Sequence, residues 1–113
     1  MEIHQREESN VTILEIIGEI DLYNSQEIRH VLQDLASKAD ARVLMNLARV
    51  NFIDSSGIGS LIAGATALQK AKGRLCLVNL QSPVKRVLEI TAVNTFFEIH
   101  DAEASALASL ASN

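Results

Sequence analysis

The sequence predicts an α/β fold in which one mixed sheet opens with an N-terminal hairpin and is covered by about four helices. Three observations predict it. Two β-rich runs start the chain, helix-periodic and short apolar runs then alternate to its end, and 113 residues suffice for one hydrophobic core but not two. With 48% hydrophobic but only 4% aromatic residues, that core must be built from Ile, Leu, Val and Ala.

The hairpin is read from residues 3–8 and 11–17, the second run rich in β-branched residues, with Ser9-Asn10 as the turn. Gly18-Glu19-Ile20-Asp21 then breaks the pattern and places two carboxylates just beyond a strand end, where loops often carry function. Asn24 is the expected N-cap of the first helix, Glu27 completes a capping box, and Ile28, Val31, Leu32, Leu35 and Ala36 form the apolar stripe. Residues 42–47 are almost wholly apolar, as suits a central strand covered on both faces, with Asn46 the one polar interruption.

A second stripe, Ile58, Leu61, Ile62, Ala65 and Leu68, predicts a helix that ends at Lys70 and Lys72 with Gly73 as its stop. Gly57, Gly59 and Gly64 each cost that helix about 0.5–1 kcal/mol relative to alanine, which points to close approach of a neighbouring backbone or a ligand. For Gly64, packing on the sheet explains the residue equally well. Residues 74–80 repeat the buried-strand pattern and carry Cys76, expected to be a small core residue with no charge cluster beside it. Ser82 as N-cap and Pro83 at the first helical position start a third helix with Val84, Val87 and Leu88 on its apolar face. Residues 96–100 read as a short edge strand, and Asp101 as the cap of an alanine-rich last helix through Leu107 and Leu110.

The formal net charge of −4 argues against nucleic acid, whose binding rests on Lys and Arg neutralising phosphates, and no aromatic platform suggests stacking on single strands. A protein partner is expected. One cysteine permits no intrachain disulfide and suits a reducing cytoplasm. Glu2, His4, Arg6, Glu7 and Glu8 are too charged for a signal-peptide apolar region. The longest apolar run, around residues 57–68, is shorter than the roughly 20 residues that span a bilayer. The expectation is a soluble cytoplasmic protein with no direct membrane insertion.

Residues 48–59 gather Asp54, Ser55, Ser56, Gly57 and Gly59 between a strand and a helix. A helix N-terminus presents unpaired N–H groups and about half a positive charge, so it can hold a phosphate. A nucleophile elbow is excluded, because Ile53 and Asp54 occupy the positions two before Ser55 and Ser56 where glycine is required. Metal-ligand spacings and a Walker loop are missing, and Gly57-Ile58-Gly59 lacks the third glycine of a dinucleotide fingerprint. A receiver that accepts phosphate on Asp54 needs an acid pair and a late-strand lysine; Glu7-Glu8 fall in the hairpin and residues 96–100 contain no lysine. The remaining reading is a serine that accepts phosphate from another protein. Capping by Ser55 or Ser56 explains one hydroxyl, but not a second hydroxyl beside an aspartate and two glycines.

These residues resemble the STAS-domain anti-sigma-factor antagonists. The resemblance runs through Gly18-Glu19-Ile20-Asp21, Asn46-Leu47, Phe52-Ile53-Asp54-Ser55-Ser56-Gly57-Ile58-Gly59 and Ser82-Pro83-Val84-Lys85-Arg86, and so covers nearly the whole chain. It implies a single STAS domain over residues 1–113 and a partner-switching regulator rather than an enzyme. The unphosphorylated form would bind an anti-sigma factor that is also a serine kinase, releasing the sigma factor. That kinase, carrying the ATP, would phosphorylate the serine after the motif aspartate and end the complex, and a metal-dependent serine phosphatase would reset it. The acceptor implied is Ser55, with Ser56 second. Glu19, Asp21, Asp54, Ser56, Gly57, Ile58 and Gly59 would form the docking surface, with no cofactor and no metal on this chain. The alternative is a STAS scaffold or regulatory subunit of a larger signalling or membrane-transport complex.

Overall fold

Ser9 and Asn10 both adopt left-handed backbone, with φ of 54° and 64°. They form the tight turn that joins β1 (Glu2–Glu8) to an antiparallel β2 (Val11–Ile20). The computed structural model describes residues 1–111, so positions 112 and 113 of the expected one-domain span lie outside the described residues. Among these, α1 (Ser25–Ala36), β3 (Arg42–Ile53), α2 (Ser55–Lys70), β4 (Arg74–Val78), α3 (Ser82–Ile90), β5 (Glu98–His100) and α4 (Glu103–Ala111) follow. The sheet order is β1-β2-β3-β4-β5, and every pairing after the hairpin is parallel. The mixed α/β expectation with an opening hairpin and four helices is what the chain adopts.

The helices divide between the two faces. Ile28 and Leu32 of α1, Leu61 and Leu68 of α2, and Val84 and Leu88 of α3 share one core with Leu14, Ile16, Met45, Leu47 and Leu77 of the sheet. On the opposite face α4 alone supplies Ala106 and Leu110, packed on Val11, Ile13, Leu44, Cys76 and Val78. Strands buried from both sides carry long apolar runs, which is why 42–47 and 74–80 were legible.

Several boundaries differ from expectation, each for a local reason. Gly18, Glu19 and Ile20 are still in β2, so only Asp21 lies past the strand end. β3 is twice the expected length: β4 pairs it only along Arg42–Asn46, and beyond that its solvent-facing Ala48, Arg49, Asn51 and Phe52 interrupt the apolar run. Asn46 explains the interruption in part. Its Oδ1 accepts the Ala48 N–H at 2.9 Å where the β2–β3 register slips, and its Nδ2 donates to Glu103 of α4 at 2.7 Å. Asn24 occupies the N-cap position of α1 but makes no side-chain cap bond, and its own N–H donates to the Asp21 carbonyl rather than to Glu27. α3 starts one residue early, with Gln81 at the cap and Ser82 inside the helix. Gln81 Nε2 instead donates to the Ala48 carbonyl. α4 begins at Glu103, which leaves Asp101 outside it.

The glycines of α2 separate cleanly. A Cβ on Gly64 would stand 2.3 Å from Leu32 Cδ1 and 2.7 Å from Leu32 Cβ, so the neighbour that demands glycine is α1 and not the sheet. The left-handed residue that ends α2 is Lys72 (φ 65°) rather than Gly73. Gly73 is required because a Cβ there would lie 2.4 Å from the Ala41 carbonyl oxygen. Around Gly59 the chain leaves open space.

At the β5 edge, Arg74 donates to both oxygens of Glu98 at 2.7 and 2.8 Å, and Ser109 and His100 approach the same carboxylate at 2.8 and 3.0 Å. Burial pushes the Glu98 carboxyl up, but the hydrogen bonds from Arg74, His100, Ser109 and Cys76 together outweigh it and hold the group at about 2. The Glu98 hydrogen bond in turn raises Arg74. Cys76 is buried as expected, yet a charge cluster does accompany it, because β5 lies beside β4 in the sheet. Burial, then the bond to Glu98, pushes its thiol up to about 12, so it is protonated at neutral pH.

Two outcomes follow for stability. Gly64→Ala should lose about 1–3 kcal/mol in urea unfolding, because Leu32 Cβ cannot rotate away, whereas Gly59→Ala should gain about 0.5–1 kcal/mol. Glu98 is ionised in the folded chain below its ordinary value of 4.5, so its stabilising contribution is present above pH 4.5 and lost as pH falls toward about 2. Glu98→Gln should therefore be less stable than wild type at neutral pH, with the deficit in thermal midpoint narrowing across that acid window.

Candidate functional site

Because β2 and β3 are parallel neighbours, their C-terminal ends lie side by side, with Ile20 opposite Ile53. This brings Glu19 to Asp21 and Asp54 to Ser56 to one edge of the sheet, although more than thirty residues separate them in sequence. Asp54 joins the two segments. Its N–H donates to the Ile20 carbonyl at 3.1 Å, its Oδ1 accepts the Gly57 N–H at 3.0 Å, and its Oδ2 accepts the Leu22 N–H at 3.1 Å. The N-cap of α2 is thus the aspartate, and capping by a serine does not account for either hydroxyl.

Ser55 is the first residue of α2 and is exposed; Ser56, half-buried, follows. Among the described residues neither hydroxyl has a hydrogen-bond partner, and neither do the backbone N–H groups of these two residues. Gly57 is buried: a Cβ there would sit 2.7 Å from Ile20 Cγ2 and from Ile53 Cγ1, so only glycine lets α2 begin this close to both strand ends. Ile58 is buried in the core below. These two, expected in the docking surface, are buried and set the position of the helix start from beneath. Gly59 stands half-exposed one turn beyond Ser55 and Ser56, flat and free of neighbours.

Of the carboxylates, Glu19 is exposed and unpaired among the described residues. Asp21 is engaged by its own loop, with Oδ1 accepting the Tyr23 N–H at 3.0 Å and its carbonyl accepting the Asn24 and Ser25 N–H groups. Asn24 closes that loop, accepting from the Asp21 N–H and donating to the Glu19 carbonyl.

Three residues at this edge were missed from the sequence. Leu22 is 66% exposed, Tyr23 93% and Phe52 47%, and they are three of the five large hydrophobic side chains most exposed in the described chain. A Leu-Tyr pair lying outside both the strand pattern and the helical stripe was the available signal. These exposed apolar side chains lie in the same segments as the exposed Ser55 and the carboxylates of Glu19 and Asp21, a combination that suits macromolecular docking better than catalysis. No helix among the described residues is long and apolar enough to cross a membrane.

A sheet with a β2–α1 and β3–α2 corner of this form defines a binding domain, and the chain belongs to the STAS domain family, whose description its residues 2–106 match. Among its relatives, the anti-sigma-B factor antagonist of Listeria monocytogenes is 27% identical over 103 residues, 91% of this chain and 90% of the relative. The anti-sigma F factor antagonist of Paenibacillus polymyxa is 23% identical over 97% of this chain and 95% of that protein. The same fold is found in the anti-sigma factor antagonist SpoIIAA in its unphosphorylated form (TM-score 0.75, 21% identity, 99% of this chain and all of that one). It also occurs within the murine anion transporter Slc26a9 (TM-score 0.82, 18% identity, 96% of this chain but 19% of the transporter).

Asp54→Ala removes both the cap and the tie to the β2–α1 loop. It should cost about 1–2 kcal/mol in denaturant unfolding and speed hydrogen exchange at Leu22 and Gly57 together, while Asp54→Asn should retain most of both.

Proposed function

We propose that this chain is an anti-sigma factor antagonist whose docking is gated by phosphorylation of Ser55. The observation that carries this reading is the exposed, unbonded Ser55 hydroxyl on a helix start that Asp54 already caps. The names of the curated relatives supply the partner class. The unmodified corner presents Leu22, Tyr23 and Phe52 as apolar anchors beside a flat helix start, and an anti-sigma factor with serine kinase activity and bound ATP docks there. Phosphate transfer to Ser55 adds about −1.5 to −2 charges. The free N–H groups of Ser55 and Ser56 and the helix dipole stabilise that charge within the chain, whereas a partner shaped to fit an uncharged hydroxyl beside Asp54 and Glu19 is repelled. A metal-dependent serine phosphatase restores the binding form. Ser56, half-buried on the same turn, is the second-choice acceptor.

A second reading follows from the fold shared with the transporter domain. There the corner is a fixed docking surface of a larger signalling or transport assembly, and modification of Ser55 changes nothing.

Calorimetric titration against the cognate anti-sigma factor separates the two. Ser55→Ala should bind like wild type, and Ser55→Asp about a hundredfold more weakly, a loss of about 2.7 kcal/mol. Incubation with ATP and that factor should place phosphate on Ser55 by mass spectrometry. Equal affinity of the phosphorylated and unmodified chains would overturn the gating.

A further inference from the structure

We propose that Cys76, Glu98 and His100 form a binding site for one zinc-type divalent cation on the edge of the sheet opposite the hairpin. Cys76 and Glu98 are register partners on β4 and β5, and His100 lies two residues further along β5, on the same face as Glu98. The Cys76 sulfur, a carboxylate oxygen and a ring nitrogen all lie within 4.8 Å of one another. Tetrahedral zinc, with bonds of about 2.0–2.3 Å, holds its ligands about 3.3–3.8 Å apart, so side-chain shifts of about 1 Å complete the geometry. One sulfur, one nitrogen and one oxygen with a fourth position open is a donor set suited to zinc rather than to magnesium or calcium.

In the metal-free chain the His100 ring donates to Glu98 Oε2 at 3.0 Å, and the buried Cys76 thiol is protonated beside the same carboxylate. The cation takes the place of those protons. The His100 proton moves to Nδ1, and the thiol proton leaves for solvent as the sulfur–metal bond forms, so one proton is released per ion bound. Thiolate and carboxylate then neutralise the divalent charge, and Arg74 faces a neutral cluster rather than a cation. Arg74, which reaches Oε1 at 2.7 Å and Oε2 at 2.8 Å, and Ser109, on Oε2 at 2.8 Å, keep Glu98 oriented as outer partners. Cys76 is fully buried, while the His100 and Glu98 side chains are 22% and 34% exposed, so the ion enters from the β5 side. The site shares no residue with the Ser55 corner. Its cysteine anchors the core beneath α4, so occupancy ties β4, β5 and α4 together.

The test uses the full chain, stripped with chelator under reducing conditions and titrated with Co²⁺. A thiolate-to-cobalt charge-transfer band saturating at one ion per chain, reversed by Zn²⁺ and accompanied by release of one proton, is the expected result. Zinc affinity should tighten about tenfold per pH unit while the free thiol stays protonated. The band should vanish in Cys76→Ala. His100→Gln, at a partly exposed position, should weaken zinc by more than about a hundredfold, beyond the loss expected for an outer partner. Circular dichroism verifies that both variants fold, and the wild-type spectrum decides the matter if either does not. A folded wild-type chain that shows no charge-transfer band, or zinc retained equally by Cys76→Ala as surface binding at His4 or His30 would give, overturns the proposal.

Discussion

The two carboxylate oxygens of Asp54 serve different elements: Oδ1 caps α2 through the Gly57 N–H, and Oδ2 holds the Leu22 N–H of the loop that leads into α1. One side chain therefore sets the start of α2 and fastens the β2–α1 loop against it. The arrangement works only because residue 57 has no side chain, since a Cβ there would collide with Ile20 and Ile53 at the ends of the two central strands. Capping by the aspartate has a chemical consequence. The hydroxyls of Ser55 and Ser56 are released from structural duty, and a modification of Ser55 does not have to break the helix that carries it.

The same economy appears deeper in the fold. α1 and α2 start at one edge and run together because Gly64 lets Leu32 approach, so the Ser55 corner rests on a closely packed helix pair and not on loops alone. On the far face, α4 is held by polar links at both ends of its contact with the sheet. Glu103 takes hydrogen bonds from Arg6 and Asn46, and Arg74 donates to the Ser109 carbonyl and to Glu98. Asn46 belongs to this second set while its Oδ1 supports the slip in β3 that carries Phe52 and Asp54 to the edge.

Much of this was legible in residue order. The Ser9-Asn10 turn, the apolar runs of β3 and β4, the stripes of α1 and α2 and the gathering of Asp54, Ser55 and the glycines all follow from periodicity and turn chemistry, which are local. The misreadings are equally local in origin. β3 looked half its length because its outer half has a strand on one side only and its exposed positions read as loop. Asn24 does take the N-cap position, but its side chain found partners in Asp21 and Glu19 instead of the capping box, and for Ser82 a one-residue shift put Gln81 at the cap instead. Cys76 looked isolated because Glu98 and His100 lie more than twenty residues away along the chain and only strand pairing makes them neighbours.

The sequence by itself determined the class of fold, the family resemblance and the serine at the helix start, since each is read from short local patterns and their order along the chain. Only the tertiary structure decided which residues meet. It placed α4 alone on one face, buried Gly57 and Ile58 beneath the corner, exposed Leu22, Tyr23 and Phe52 around it, and brought Arg74, Cys76, Glu98 and His100 into one cluster. The physical reason is common to all four. Parallel strand pairing joins positions that are distant in the chain, and which side of each strand and helix is covered depends on neighbours that no local window contains.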